Sequence, residues 1–216
     1  MPQERSVTVL ISGRGSNLKS LIENREGYRV TSVLSNKADA GGLQIARENG
    51  IPTAVVPRDS FASLVEFKQG VLKAVRETKP DLVALAGFMV VLQPEFIKAF
   101  EGRLLNIHPS LLPQFPGLDT HARAVESKVR HHGCTVHFVD TGVDTGPLVA
   151  QGSVELSPSD DATVAGARVL AVEHVLYPWV LSKVAQGEIT LNGRSVEYSE
   201  RAVHEATLQG FSLFPS

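Results

Sequence analysis

Val7-Thr8-Val9-Leu10-Ile11-Ser12-Gly13-Arg14-Gly15-Ser16-Asn17-Leu18 runs from a β-branched apolar stretch, through two glycines, into a helical pattern continued by Leu21 and Ile22. Strand, glycine loop and helix in that order are the plan of an anion-binding turn, where backbone N–H groups converge at a helix N-terminus. A dinucleotide fingerprint would place a third glycine at Leu18 and an acidic residue after the second strand, where Ser35-Asn36-Lys37 stand. A Walker loop would need Gly-Lys-Ser/Thr, and a nucleophile elbow around Ser16 would need glycines in place of Arg14 and Leu18. The loop suits a single phosphate, with a plain tight turn as the alternative.

The same alternation continues outward. Strands are expected over 28–34, 53–56 and 82–86, with helices over 42–49, from 57–60 onward, and from Pro94. The helix after Pro57 carries Leu64, Phe67, Val71, Leu72 and Val75 near 3.6 spacing. The 82–86 strand is apolar without alternation, the pattern of a parallel strand buried on both faces. Repeated strand-helix units with right-handed crossovers predict an α/β, doubly wound, mostly parallel sheet with helices on both faces. Further on, strands over 134–139 and 148–156 have a short connection and are expected to run antiparallel, so the sheet is mixed. A long helix follows from 159–161 through Ala185, and Asn192-Gly193 predicts a C-terminal hairpin. The residues after Tyr198 give no pattern.

Leu104-Leu105-Asn106-Ile107-His108-Pro109-Ser110-Leu111-Leu112-Pro113 begins as a strand and ends as a proline-punctuated loop. Side chains alternate along a strand, so Asn106 and His108 share a face while Ile107 turns into packing. Pro109 cannot donate to a ladder, which puts the imidazole at a strand end, where open α/β sheets bind ligands. An amide donor beside a titratable ring suits acyl or one-carbon transfer, though a turn cap and a core histidine would look the same. The loop 140–147 carries two carboxylates, Asp140 and Asp144. Asp144, in a glycine-flanked loop after a strand, is a better candidate than the aspartates in helices for a carboxylate that orients His108. Glu173 and His174 are neighbours on the long helix and diverge. His131-His132 lack a third ligand at useful spacing, so no metal site is expected. Cys134 and His137 fall on opposite strand faces and form no local dyad, and Cys134 reads as a core residue.

Composition narrows the classes. The 216 residues hold 21 Lys+Arg and 23 Asp+Glu, a net of -2, which argues against binding nucleic acid by bulk charge. A single cysteine excludes an intramolecular disulfide and fits a reducing compartment. The first residues lack a hydrophobic signal core, and the apolar run 82–92 is too short to span a bilayer. The expectation is a soluble, cytoplasmic protein with no nucleic-acid or membrane partner. A homodimer is left open.

Leu105-Asn106-Ile107-His108-Pro109-Ser110-Leu111-Leu112-Pro113, Phe115-Pro116-Gly117 and Asp144-Thr145-Gly146-Pro147 resemble the formyltransferase family that uses 10-formyltetrahydrofolate. Residues 12–18, 35–40 and 85–89 narrow the likeness to the branch that formylates phosphoribosylglycinamide in purine synthesis. The resemblance implies a Rossmann-like single domain over 1–216, with a phosphate-binding half over 7–110, a folate-binding and catalytic half over 111–198 and a tail over 199–216. It implies Asn106 as oxyanion donor, His108 as acid/base and Asp144 as its partner. Gly15, Ser16 and Asn17 would bind phosphate, and Glu173 the ribose and glycinamide end. Leu64, Met89, Val90, Val91, Leu92, Asn106, Asp140, Thr141, Gly142 and Val143 would line the folate. The co-substrate is 10-formyltetrahydrofolate and no metal is required. Val90 and Leu64 stand where well-known members often carry arginine, near the folate's benzoylglutamate end. A formyltetrahydrofolate hydrolase and a catalytically silent nucleotide-binding module are the alternatives. A methionyl-tRNA formyltransferase would add a C-terminal barrel for which the residues after the hairpin leave no room.

Overall fold

The structure, a computed structural model, describes residues 4–215. Its architecture is α/β, a mostly parallel but mixed sheet with helices and a C-terminal antiparallel hairpin. Contacts within the chain gather into two units, Met1–Leu105 and Asn106–Ser216.

The first unit holds β1 (Arg5–Ile11), α1 (Ser16–Glu23), β2 (Tyr28–Ser35), α2 (Gly41–Glu48), β3 (Thr53–Val55), α3 (Leu64–Glu77), β4 (Leu82–Leu85) and α4 (Pro94–Ala99). Strands lie in the order β4-β1-β2-β3, every pair parallel. Val7, Thr8, Val9, Leu10 and Ile11 are all fully buried, so both faces of β1 are covered, as an apolar run without alternation requires. The one polar side chain among them is satisfied: the Thr8 and Thr78 hydroxyls meet at 2.6 Å. Gly15 and Gly42 let α1 and α2 start close together. A Cβ on Gly15 would sit 2.4 Å from the Gly42 Cα.

The helix expected from 57–60 starts later. Arg58–Ser60 is a single 3-10 turn, and α3 begins at Leu64. Ser63 supplies the cap, its Oγ accepting from the Glu66 N–H at 3.1 Å, and Glu66 reaches back to the Ala62 N–H at 3.1 Å. Phe61 then packs on Phe67 with ring centroids 5.9 Å apart, in space a side chain at position 70 would fill. The buried stripe is accordingly Phe67, Val71 and Val75, while Leu64 is exposed.

A further strand, β5 (Leu104–His108), starts in the first unit and ends in the second. The second unit adds α5 (Thr120–Glu126), β6 (His131–Phe138), β7 (Leu148–Glu155), α6 (Ala162–Ala185), β8 (Ile189–Asn192), β9 (Ser195–Tyr198), α7 (Glu200–Gln209) and β10 (Ser212–Leu213). β6 and β7 are antiparallel, as expected, and pairing begins at His131, three residues before the strand's expected start. β10 adds antiparallel to the other side of β7, and β8 and β9 form a separate hairpin. Asp161 caps α6 through the Val164 N–H at 2.8 Å. By length and composition α6 could cross a membrane, but residues 176–185 are buried without a break. It packs on β6 and β7 as a core helix. A Cβ on Gly152 of β7 would lie 2.3 Å from Val172, so that glycine permits the close approach.

Candidate active site

The end of β5 delivers the two side chains the strand pattern put on one face. Asn106 is half-buried, Ile107 is packed away, and His108 is buried. The His108 Nε2–H donates to the Phe115 carbonyl at 2.9 Å, and Nδ1 lies 3.3 Å from Asp144 Oδ2. A carbonyl and a carboxylate are both acceptors, so the ring can donate from each nitrogen. Asp144 is held in turn: its Oδ2 accepts from the Gly117 N–H at 2.8 Å, and its backbone sits in the left-handed region at φ 55°. A non-glycine residue in that region costs about 1–3 kcal/mol and is kept only where the surroundings impose it.

His137, on β6, completes the group. Its Nδ1–H donates to the Phe138 carbonyl at 2.8 Å, which leaves Nε2 as an acceptor for Asn106 Nδ2 at 3.2 Å. Burial pushes its pKa down, outweighing the Phe138 carbonyl and the Asp144 carboxylate, which push it up. Nε2 also lies 3.8 Å from Asp144 Oδ1. The pairing of β6 with β7 slips between Val136 and His137, an irregularity of the kind that re-aims side chains beside sites. The sequence offers His137 only as a neighbour of Cys134 on the opposite strand face. The available signal was its place at a strand end just before the Asp144 loop.

Behind His108 lies a second pair of rings. His121 Nδ1 and His132 Nε2 are 3.0 Å apart, and the Phe115 ring meets His132 edge-on at 6.2 Å. Burial first, then the neighbouring His121 and His108, lowers the His132 pKa to about 4. His132 is therefore a neutral packing partner for Phe115, whose carbonyl His108 uses. Among the described residues, no three His, Cys, Asp or Glu side chains are grouped to hold a metal ion. Cys134 is fully buried, and burial followed by the Glu173 charge pushes its thiol pKa up. Glu173 is buried on the face of α6 where its charge reaches β6, and His174 beside it is half-buried.

The loop 140–147 is tied to itself. Asp140 Oδ1 accepts from the Gly142 N–H at 3.1 Å and the Thr145 hydroxyl at 2.7 Å. Burial raises the Asp140 pKa, but Thr145, Arg194 and Gly142 together hold it below the usual value. Thr141, Gly142 and Val143 form the exposed tip.

In the first unit, Gly15 occupies the left-handed region at φ 82° immediately before α1, and Ser16 and Asn17 open the helix half-buried. The Ser12 hydroxyl donates to Asn36 Oδ1 at 2.6 Å and accepts from the Met89 N–H at 2.9 Å. That one side chain ties together the loops leaving β1, β2 and β4. Because β1 lies between β2 and β4, the glycine loop and residues 87–92 leave the carboxyl ends of strands at a topological switch point. Met89 and Val91 are exposed, Val90 is half-buried and Leu92 is a core residue. Gln93 Nε2 donates to the Val65 carbonyl at 3.2 Å, which ties this loop to the start of α3, where Leu64 lies exposed.

Known proteins share both the sequence and this architecture. The phosphoribosylglycinamide formyltransferase of Escherichia coli K12 is 42% identical over 191 residues, covering 87% of this chain and 90% of its own. The human trifunctional purine biosynthetic protein adenosine-3 is 41% identical over 194 residues, which are 19% of its length. The crystal structure of glycinamide ribonucleotide transformylase 1 from Symbiobacterium toebii superposes with a TM-score of 0.88 at 38% identity, covering 91% of this chain and 95% of that one. Residues 5–181 match the formyl transferase model. With likeness of this extent in sequence and in structure, the chain belongs to the formyl transferase family.

Proposed function

We propose that the chain transfers the formyl group of 10-formyltetrahydrofolate to the amine of N1-(5-phosphoribosyl)glycinamide, giving the formylated nucleotide and tetrahydrofolate. The observation that carries this reading is the Asp144–His108 contact beside an Asn106 amide already oriented by His137. The amine attacks the formyl carbon, and negative charge develops on the formyl oxygen. One Asn106 N–H is engaged by His137 and the other is free to meet that oxygen. A donor of this kind is worth about 10²–10³ in rate. His108 offers its Nε2–H, now on the Phe115 carbonyl, to the developing oxyanion, which is the stronger acceptor because it is charged. It then moves protons between the attacking amine and the leaving folate nitrogen, a contribution of about 10²–10⁴. Asp144 holds the ring in orientation and stabilises its charge.

Gly15, Ser16 and Asn17 take the nucleotide phosphate at the start of α1, and Glu173 contacts its ribose end. Leu64, residues 89–92 and residues 140–143 line the folate, largely with backbone and apolar groups. Val90 and Leu64 carry no charge, so the folate tail is held without arginines at these positions. The net charge of -2 and the lone buried cysteine support a cytoplasmic enzyme of small molecules, with no nucleic-acid or membrane partner.

The test follows tetrahydrofolate release from 10-formyltetrahydrofolate with and without glycinamide ribonucleotide. Release only with the nucleotide supports transfer. Equal release without it indicates a hydrolase, and none at all indicates a binding module. His108→Ala should abolish turnover while nucleotide binding, measured by calorimetry, stays within about threefold, since about 0.6 kcal/mol is the most a remote phosphate contact should feel. Wild-type kcat in that variant overturns the assignment.

A further inference from the structure

The hairpin turn Asn192-Gly193-Arg194-Ser195 lies far along the chain from the catalytic loop, yet its arginine reaches it. Arg194 Nη1 donates to Asp140 Oδ2 at 3.0 Å, and Nη2 donates to the Thr145 carbonyl at 3.1 Å. Asp140 and Thr145 are already joined side chain to side chain at 2.7 Å. The guanidinium fork therefore clamps both feet of the short arch that carries Asp144. Asp144 sits in the left-handed region at φ 55°, which aspartate tolerates better than most residues but at some cost, so the contacts around the arch help to keep it there. Holding from inside comes from Gly117 and His108, and holding from outside comes from Arg194.

We propose that Arg194 is a positioning residue for formyl transfer, fixing the 140–145 arch so that Asp144 stays within reach of His108. The inference rests on the role given to Asp144 above. Arg194 touches neither His108 nor Asp144 in this arrangement, and its side chain is 71% exposed. An ion pair that exposed adds little to folding stability, so its value lies in where it puts the loop. The fork matters as much as the charge, because one planar group serves a carboxylate and a carbonyl together. Lysine can replace the first contact and not both.

Arg194→Ala and Arg194→Lys, made in the full chain, test the assignment. Arg194→Ala is expected to lower kcat roughly tenfold, the scale of a misplaced catalytic group, with KM for the nucleotide within twofold of wild type. Melting temperature should stay within about 2 °C, as for other exposed pairs. Arg194→Lys should recover part of the lost kcat. Raising salt from about 0.05 to 0.5 M should lower wild-type kcat toward that of Arg194→Ala and leave the variant flat, because added ions screen the pair. Hydrogen exchange at the Gly142 amide, bonded to Asp140, should quicken in Arg194→Ala. Unchanged kcat and unchanged Gly142 exchange in that variant would each overturn the proposal. If the wild-type protein transfers no formyl group, the functional reading fails on its own, and Gly142 exchange still decides whether Arg194 fixes the arch.

Discussion

Burial drives the His137 imidazole toward its neutral form, and that state decides what it can offer Asn106. A charged ring would present two donors, and the Asn106 Nδ2 would face another N–H. The neutral ring, with Nδ1–H on the Phe138 carbonyl, presents a lone pair at Nε2 and fixes which way the amide points. His137→Leu removes that acceptor and leaves the amide free to rotate. Its kcat should fall roughly tenfold, about 1.4 kcal/mol of lost transition-state binding. His137→Gln, which restores an acceptor oxygen, should recover much of it. Equal kcat in His137→Leu and wild type would show that Asn106 needs no such hold. Asn106 and His108 were legible in the sequence because a strand alternates strictly and Pro109 marks its end. His137 was not, because the slip in pairing at Val136 that aims it is invisible without the partner strand. Arg194 was hidden for a similar reason. Nothing in its local pattern points to a loop 54 residues earlier.

Among the elements, the turn from β1 into α1 was the most readable, since Gly13 and Gly15 between an apolar strand and a helical pattern leave few conformations. The structure adds the reason Gly15 is needed, which is contact as well as conformation. Its φ is 82°, and a Cβ there would meet the Gly42 Cα at 2.4 Å, backbone that cannot swing aside. Gly15→Ala therefore combines the left-handed penalty of about 1–2 kcal/mol with an overpacking cost of about 1–3 kcal/mol. Urea unfolding should show a loss of roughly 2–5 kcal/mol, and phosphate-ligand affinity should fall with it as α1 and α2 separate. A loss under about 0.5 kcal/mol would mean the turn reshapes freely. The start of α3 was misplaced because Pro57 and Asp59 imitate a helix start, whereas Ser63 with Glu66 three residues on makes the true cap. α7 left almost no trace: only Ala202 and Ala206 are buried, too small a stripe to show a period.

Across the molecule, composition and strand-helix alternation were enough for the α/β class, while the way residues 199–213 are fastened required the coordinates. The fastening in the second unit is ionic. Lys183 of α6 is almost fully buried, with Nζ 2.7 Å from Glu205 of α7 and 3.2 Å from Glu188, and Arg201 bridges the same two carboxylates at 2.8 and 3.3 Å. Trp179, the chain's single tryptophan, donates to Glu205 at 3.2 Å and packs on Phe211 with ring centroids 5.4 Å apart. Lys183 first, with Arg201 and Trp179 adding to it, lowers the Glu205 pKa from 4.5 to about 2, against the upward push of burial. A carboxylate whose folded pKa is depressed stabilises the fold above its unfolded pKa and loses that contribution as pH falls through the folded one. For Glu205 the window runs from about 4.5 down to about 2. Glu205→Gln lacks the contribution at every pH, so the gap in urea midpoint between wild type and variant, followed by Trp179 emission, should be widest at neutral pH. It should shrink steadily as the solution is taken below 4.5. Lys183→Met should be worse than Glu205→Gln at neutral pH, since it removes the buried cation from two half-buried carboxylates and leaves the exposed Arg201 alone to bridge Glu188 and Glu205. A gap that stays constant from neutrality to acid would mean that Glu205 titrates alike folded and unfolded, and the ionic fastening of α7 would have to be abandoned.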